Sequence, residues 1–435
     1  MRNSMRIILL VIFFLNVTNT QANDQATKSF DTLWEEIYTK SAKKKATELD
    51  REGTQLSLAR AERHWLPRVY GTAQWFSTND PTQVFFTNLG QRAVEQADFI
   101  PSELNNPGRK SFKTGALGID LPLYEGGMKS SQASMFKALL KSSELEVKAK
   151  RSEEYTEFSR HYGGFLLTLK NEMFLSELKE NLDKLISSYQ VGSQSNPVGY
   201  SGLLGLKGVR NRIEGSLYEL KLKVSNSKTW INTKIDTTEN WNPDLTENLK
   251  NFLSTKLSEL SSSSYSSMLL AQELKVSSLE NMKEMEKARH LPRVGLFAQS
   301  NIYSGDRDTA NAQAYGIYFA WDIFNSDSHG RVGEASAKFR AGEAKIQAEK
   351  QEEKIILEQM LASKNTLEKS LALLEDTDKI LKEQTLNAMK LFRSGLLNAL
   401  QLAEVINRRV DLIENKNKVE NQYLDVYTRI YLLNN

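Results

Sequence analysis

Two stretches of this chain are written almost alike: RHWLPRVYGTAQ from Arg63 and ARHLPRVGLFAQ from Ala288. A catalytic motif usually stands once in a chain. A structural element that was copied stands twice, with its proline at the same place each time. In both stretches a charged, proline-free run of helical spacing stops at a Leu-Pro pair, Leu66-Pro67 and Leu291-Pro292, because the residue before proline is pushed out of helical geometry. The shared phrase therefore marks a place where a helix gives way to something else, twice.

After each proline the residues alternate with period two, which is strand spacing. Strands are expected at about 66–76 and 112–124 in the first half and at about 291–301 and 313–324 in the second. Val69, Gly71, Ala73 and Trp75 share one face of the first strand, and Leu117, Ile119, Leu121 and Leu123 one face of the second. Val294, Leu296 and Ala298 line the third, and Tyr315, Ile317, Phe319, Trp321 and Ile323 the fourth. An aromatic-rich apolar face suits either the lipid side of a membrane barrel or one buried face of a soluble sheet. Alternation by itself leaves both open.

Each strand pair closes in a turn, LPLYEGGMKS and WDIFNSDSHGR, and then enters a very long helical run, about Lys129 to Tyr189 and about Gly333 to Phe392. Each would be roughly 90 Å long at 1.5 Å per residue. Met360, Leu367, Leu374, Leu381 and Ala388 fall seven apart, as do Val405, Leu412, Val419 and Val426, the spacing of helices packed side by side in a coiled coil. The long runs break at Gly192 and Gly395, and helices resume from Leu203 and Ala399. These align without a gap, Val209 on Val405 and Arg212 on Arg408. The chain thus divides into a first repeat over 23–225, a polar, turn-rich insert over 226–260, and a second repeat over 261–435.

The first residues, MRNSMR, then IILLVIFFL, then NVTNTQAND, have the three-part layout of a secretory signal peptide, with cleavage after Ala22. The apolar run is too short for a bilayer-spanning helix, and no later stretch is long and apolar enough to be one. With no cysteine there are no disulfides, thiolate metal sites or cysteine nucleophiles, and a formal charge of +3 is not the footprint of a nucleic-acid binder. The glycine-containing stretches lack the spacing and lysine of a nucleotide-binding loop, and no metalloprotease or nucleophile-elbow pattern occurs. Of the histidines His64, His161, His290 and His329, the first and third sit at equivalent repeat positions, which points to a structural role at the helix-strand junction. No enzyme activity, metal or cofactor is expected.

The order of these features resembles the TolC-like outer-membrane efflux proteins. The residues that carry the resemblance are the two helix-to-LPRV strand starts, LPLYEGG, WDIFN, and the run LFRSGLLNALQLAEVINRRVDLIENKNKVENQYLDVYTRIYLL. The resemblance implies a mainly α fold with a β-barrel part. Long antiparallel coiled-coil helices would line a periplasmic tunnel, and four strands per protomer would form a shared twelve-stranded barrel in a homotrimer. It implies the outer membrane of a Gram-negative cell, and partnership with a periplasmic adaptor and an inner-membrane transporter, as in multidrug efflux or type I secretion. The physics of lipid agrees, since four strands alone would leave unpaired edge amides at several kcal/mol each.

By the same resemblance the glycine turns, Gly192 and Gly395 with Leu396 and Leu397, are the periplasmic tips that meet the adaptor. Phe392 and Arg393 flank the tunnel mouth, and the acidic ring positions fall on Gln401 and Glu404. Glu404 keeps the charge and Gln401 does not. A long loop from Asn79 to Lys110 and a shorter one from Tyr303 should share the outer side. The rival reading is a periplasmic coiled-coil scaffold or adhesin, which explains the heptads and leaves the paired alternating strands unexplained.

Overall fold

The computed structural model describes residues 26–188, 197–238, 241–244, 249–257, 265–326 and 328–435. The proposed signal peptide and Gly192 lie outside these residues. In chain order the elements are β1 (Ala26–Lys28), α1 (Phe30–Lys40), α2 (Ala42–Glu62), β2 (Arg68–Thr78), α3 (Pro81–Gly90), α4 (Pro101–Asn105), β3 (Lys110–Glu125) and α5 (Met128–Ser188). Then come α6 (Pro197–Ile235), β4 (Trp241–Pro243), α7 (Leu249–Lys256), α8 (Ser267–Ala288), β5 (Arg293–Gly305), β6 (Thr309–Ala320), α9 (Arg331–Arg393) and α10 (Ala399–Asn434).

The two long helices are unbroken, α5 over 61 residues and α9 over 63, so each runs about 90–95 Å. The shorter helices reach the same length by stacking end to end. The last residue of the chain, Asn435, accepts at its carbonyl from the Ser267 amide at 3.3 Å, which sets the end of α10 on the start of α8. At the other stack, the Lys40 ammonium donates to the Ile235 carbonyl at the end of α6. A cation at a helix C-terminus meets the carbonyls left without intrahelical partners and the negative end of the helix dipole. Four rods therefore pack along one another: α5 touches both members of α2/α6 and of α8/α10, α9 touches both members of α8/α10, and α6 also touches α10.

The helical run that stops at Leu66-Pro67 is itself broken at Ser41, whose backbone is extended. Its hydroxyl accepts from the Lys44 amide, capping α2, and donates to Glu154 of α5 at 2.6 Å. Two apolar cores punctuate the rods. One surrounds the break: Phe30, Trp34, Phe158, Tyr162 and Phe252 pack ring against ring there. The stretch expected to be a polar insert supplies part of it. Trp241 and Phe252 are fully buried, and β4 pairs in parallel with β1. The described parts of the 226–260 stretch thus pack against the middle of the rods. The second core lies toward the α9–α10 turn and joins Leu182, Leu206, Ile213, Leu402, Ile406 and Val410, all fully buried or nearly so.

The seam on α9 from Met360 to Ala388 is half-buried or buried throughout. On α10 the deepest residues are Leu402, Ile406 and Val410, with Ala403 and Ile413 buried beside them, a different offset from the expected Val405, Leu412, Val419 and Val426, of which only Leu412 is buried. α10 touches α5, α6 and α9, and a helix packed on three sides buries more than one stripe. The seam runs on into Asn417 and Glu420. Burial pushes the Glu420 carboxyl above its ordinary range; Lys416 and Lys170 oppose this, and Glu375 and Asp378 reinforce it.

The four longer strands form one antiparallel sheet in the order β2-β3-β5-β6. They match the expected positions, but the shorter loop shrinks to a tight connection between Gly305 and Thr309, and Trp321 and Ile323 fall beyond β6. The loop from Asn79 to Lys110 is not bare; it holds α3, a short 3-10 turn and α4.

Candidate tunnel wall and mouth

The register lines up a continuous row across all four strands, Val69, Ile119, Ala298 and Tyr315. Side chains on that face share the strand parity predicted from the sequence and stand uncovered: Tyr315 is 86% exposed, Ile317 72% and Trp75 71%. A large bare apolar face is not stable in water and marks a contact with lipid or protein. The opposite face is polar, with Thr72, Gln74, Thr114, Gln299 and Asn301, and three of its aromatics lie over glycines of the next strand. Tyr70 covers Gly118, Tyr318 covers Gly295 and Phe297 covers Gly316, each so close that a Cβ on the glycine would sit under 3 Å from the ring. The outer strands β2 and β6 each keep one unpaired edge. They run antiparallel to each other across the sheet, so β6 of one copy can continue the antiparallel ladder onto β2 of another.

The strand-to-helix junctions account for LPLYEGG. Gly126 and Gly127 both have positive φ, +66° and +82°, a region costly for other residues. A Cβ at Gly126 would stand 2.5 Å from the Ala288 carbonyl oxygen, so this glycine also permits the close approach of β3 to the end of α8. At the junctions a His64 ring nitrogen lies 2.9 Å from the Ala61 carbonyl, and the Trp321 indole donates to the backbone carbonyl of His290 at 3.0 Å, a contact that does not involve the imidazole. His161 stacks on Trp230 with ring centroids 4.0 Å apart, and burial lowers its pKa.

At the far end of the rods α9 stops by a Schellman motif. Gly395, at φ +76°, donates to the Phe392 carbonyl, and the Leu396 amide reaches back to Leu391 at 2.9 Å. Leu397 then turns inward against the tip core while Leu396 stands 77% exposed. Asn398 caps α10, accepting from the Gln401 amide at 2.8 Å, and the Gln401 side chain accepts in return from the Asn398 amide at 3.2 Å. This reciprocal capping box explains Gln401. It closes a helix start worth about 1 kcal/mol, a role that glutamine and glutamate fill equally well. Phe392 is half-buried against the tip core, and Arg393 is exposed. Glu404 is exposed and pairs along its own helix with Arg408 at 3.0 Å.

One contact at the tip has no signal in the sequence pattern. Arg212 of α6 reaches across to Asp411 at 2.6 Å and Glu414 at 2.7 Å on α10, and these carboxylates raise its pKa. Its aligned counterpart Arg408 turns instead to Glu404. The alignment holds the reason: the position matching Glu404 is Gly208, so Arg212 has no carboxylate one turn back on its own helix and pairs with its neighbour. Of the proposed mouth residues, the structure gathers Phe392, Leu397 and Gln401 into the fabric of the turn and leaves Arg393, Leu396 and the Glu404–Arg408 pair on the surface.

The described residues thus form stacked helical rods joined to an open-edged sheet that is bare on its apolar side. No protein-family model matches the sequence, and no curated protein matches it. Solved structures do. CusC is similar with a TM-score of 0.77 at 10% identity, over 94% of this chain and 92% of that one. The CmeC outer-membrane channel of Campylobacter jejuni is similar at 0.72 and 14% identity, over 99% and 93%. The MtrE outer-membrane channel of Neisseria gonorrhoeae, solved in an open state, is similar at 0.72 and 11% identity, over 93% and 88%. The fold is therefore that of outer-membrane channels of the TolC type, as the resemblance in the sequence implied, and such neighbours are channels rather than enzymes. Among the described residues no helix is long and apolar enough to cross a membrane; this says nothing of β-strands.

Proposed function

We propose that three copies of this chain close into one channel-tunnel, which carries small molecules or proteins from an inner-membrane transporter and its periplasmic adaptor across the outer membrane. The observation that carries the reading is the sheet: four strands with two open edges and an uncovered apolar face, joined end-on to helices about 90 Å long. Edge amides in lipid must be paired, so the sheet must close on copies of itself. Three copies give about twelve strands, an even number within the range of outer-membrane barrels. The α9–α10 turn then lies at the periplasmic end, where the exposed Leu396 and its neighbours would seat the adaptor. The chain needs no chemistry of its own, since the transporter supplies the energy.

Planar-bilayer recording tests this. The purified protein should insert as discrete, long-lived conductance steps. A protein that forms none, and that carbonate strips from membranes, is the scaffold or adhesin instead. The same recording tests the mouth. Three Glu404 carboxylates near one axis attract cations, partly offset by Arg408, so Glu404→Gln should lower cation preference and weaken divalent block without changing trimer yield. Unaltered selectivity would make Glu404 an ordinary surface carboxylate and move the constriction elsewhere.

A further inference from the structure

The segment between β2 and β3 folds back onto the sheet, and strand parity tells which side. α3 packs against Tyr303 so closely that a Cβ on Gly90 would lie 2.8 Å from that ring. Gln91, fully buried, lies against Gly305 beside Phe112, which in turn meets Phe76 at 5.7 Å between ring centroids. Tyr303, Phe112 and Phe76 all have the parity of the polar face, opposite Ile119, Ala298 and Tyr315. In a barrel with its apolar face to lipid, that polar face is the lumen. The segment therefore lies inside the outer mouth.

It is also fastened there. Arg307, in the β5–β6 turn, grips Asp98 through two hydrogen bonds of 2.5 and 2.7 Å and donates to the Ala93 carbonyl at 2.9 Å. The wall-facing side of α3 is Val84, Thr87, Asn88 and Gln91, all buried. The opposite side carries Phe86, 61% exposed, and Leu89, 51% exposed, with Phe99 and Ile100 of the next turn also bare. On α3, Phe86 and Leu89 point away from the wall, toward the axis, and Phe99 packs edge-on against Phe85 beside them, with ring centroids 5.7 Å apart.

Size decides what they meet. Twelve strands about 4.8 Å apart and tilted by roughly 40° close a ring about 24 Å across. A helix seated on the inner wall takes about 10 Å of the 12 Å radius. Three such helices fill the lumen, so each apolar face has only its two equivalents to touch. Resting on three-copy closure of the barrel, we propose that Phe86, Leu89, Phe99 and Ile100 of three copies meet on the barrel axis as an apolar outer gate, held in place by the Asp98–Arg307 clasp. A dry apolar constriction stops ions by dewetting, so the gate closes the tunnel at the end opposite the α9–α10 turn while the three faces meet, and the conductance steps expected in planar bilayers are the periods when they part.

The chain has no cysteine, so one introduced thiol can pair only with its copy in another subunit. Full-length Leu89→Cys protein in outer-membrane fractions should form a disulfide-linked dimer on mild oxidation, because pairing needs Cα atoms within about 7 Å. Phe99→Cys should do the same, and Trp75→Cys, on the lipid face, should not. Adding Asp98→Ala to Leu89→Cys should cut the yield roughly threefold or more, on the scale of a well-formed ion pair; an unchanged yield overturns the role of the clasp. Native mass spectrometry of the same samples separates the two levels. Three chains without a disulfide at either position overturn the gate alone. Fewer than three chains overturn three-copy closure and the gate with it.

Discussion

Ile406→Asp is expected to remove folded protein from the outer membrane. Ile406 is wholly buried in the tip core, together with Leu182, Leu206 and Ile213. The substitution loses about 1.5–3 kcal/mol of apolar burial and places a carboxylate where nothing is set to pair with it, which typically costs several kcal/mol more. Against a total stability of about 5–15 kcal/mol this is decisive. Val405→Asp, one residue away on a half-buried flank, should cost far less. The measurement is the thermal loss of helical circular dichroism, together with yield in membrane fractions. Equal damage from the two changes would mean that the deep stripe of α10 is not where the packing puts it.

Gly126→Ala should be nearly as severe, for a different reason. Its φ of +66° strains any residue with a Cβ by about 1–2 kcal/mol, and here the added carbon would also press within 2.5 Å of the Ala288 carbonyl, backbone that cannot swing aside. Gly127→Ala is the control. It shares the positive φ, but its nearest new neighbour is the Ser130 hydroxyl oxygen at 3.7 Å. So Gly127→Ala should show the conformational strain alone, and Gly126→Ala a further loss as the sheet is pried from the end of α8. If the two alanines lower the melting temperature equally, the close approach of β3 to α8 is not a constraint.

Much of the fold is legible in the sequence, because period-two and heptad spacing are direct images of geometry. The face shared by Val69, Ile119 and Tyr315 and the lengths of α5 and α9 can be read without a structure. Other parts are hidden by residues serving two purposes. Ser41 ends one helix and caps the next inside a run that is helical on both sides. Trp241 and Phe252 lie in a stretch so rich in polar residues that it looks like surface. In α3 the pattern actively misleads: Thr87, Asn88 and Gln91 face the wall while Phe86 and Leu89 face away, the reverse of an ordinary amphipathic helix. The offset of the α10 seam is obscured because a helix with three neighbours presents more than one apolar stripe. Gln401 looks like a lost charge and proves to be half of a capping box.

A conducting channel depends on the closure of a four-stranded sheet by copies of itself. Native mass spectrometry of protein extracted gently from outer membranes measures that closure directly. A particle of three chains is predicted. A single chain, or a pair, remaining membrane-inserted after carbonate washing would contradict it, since four strands leave open edges in lipid and eight close a barrel too narrow to conduct.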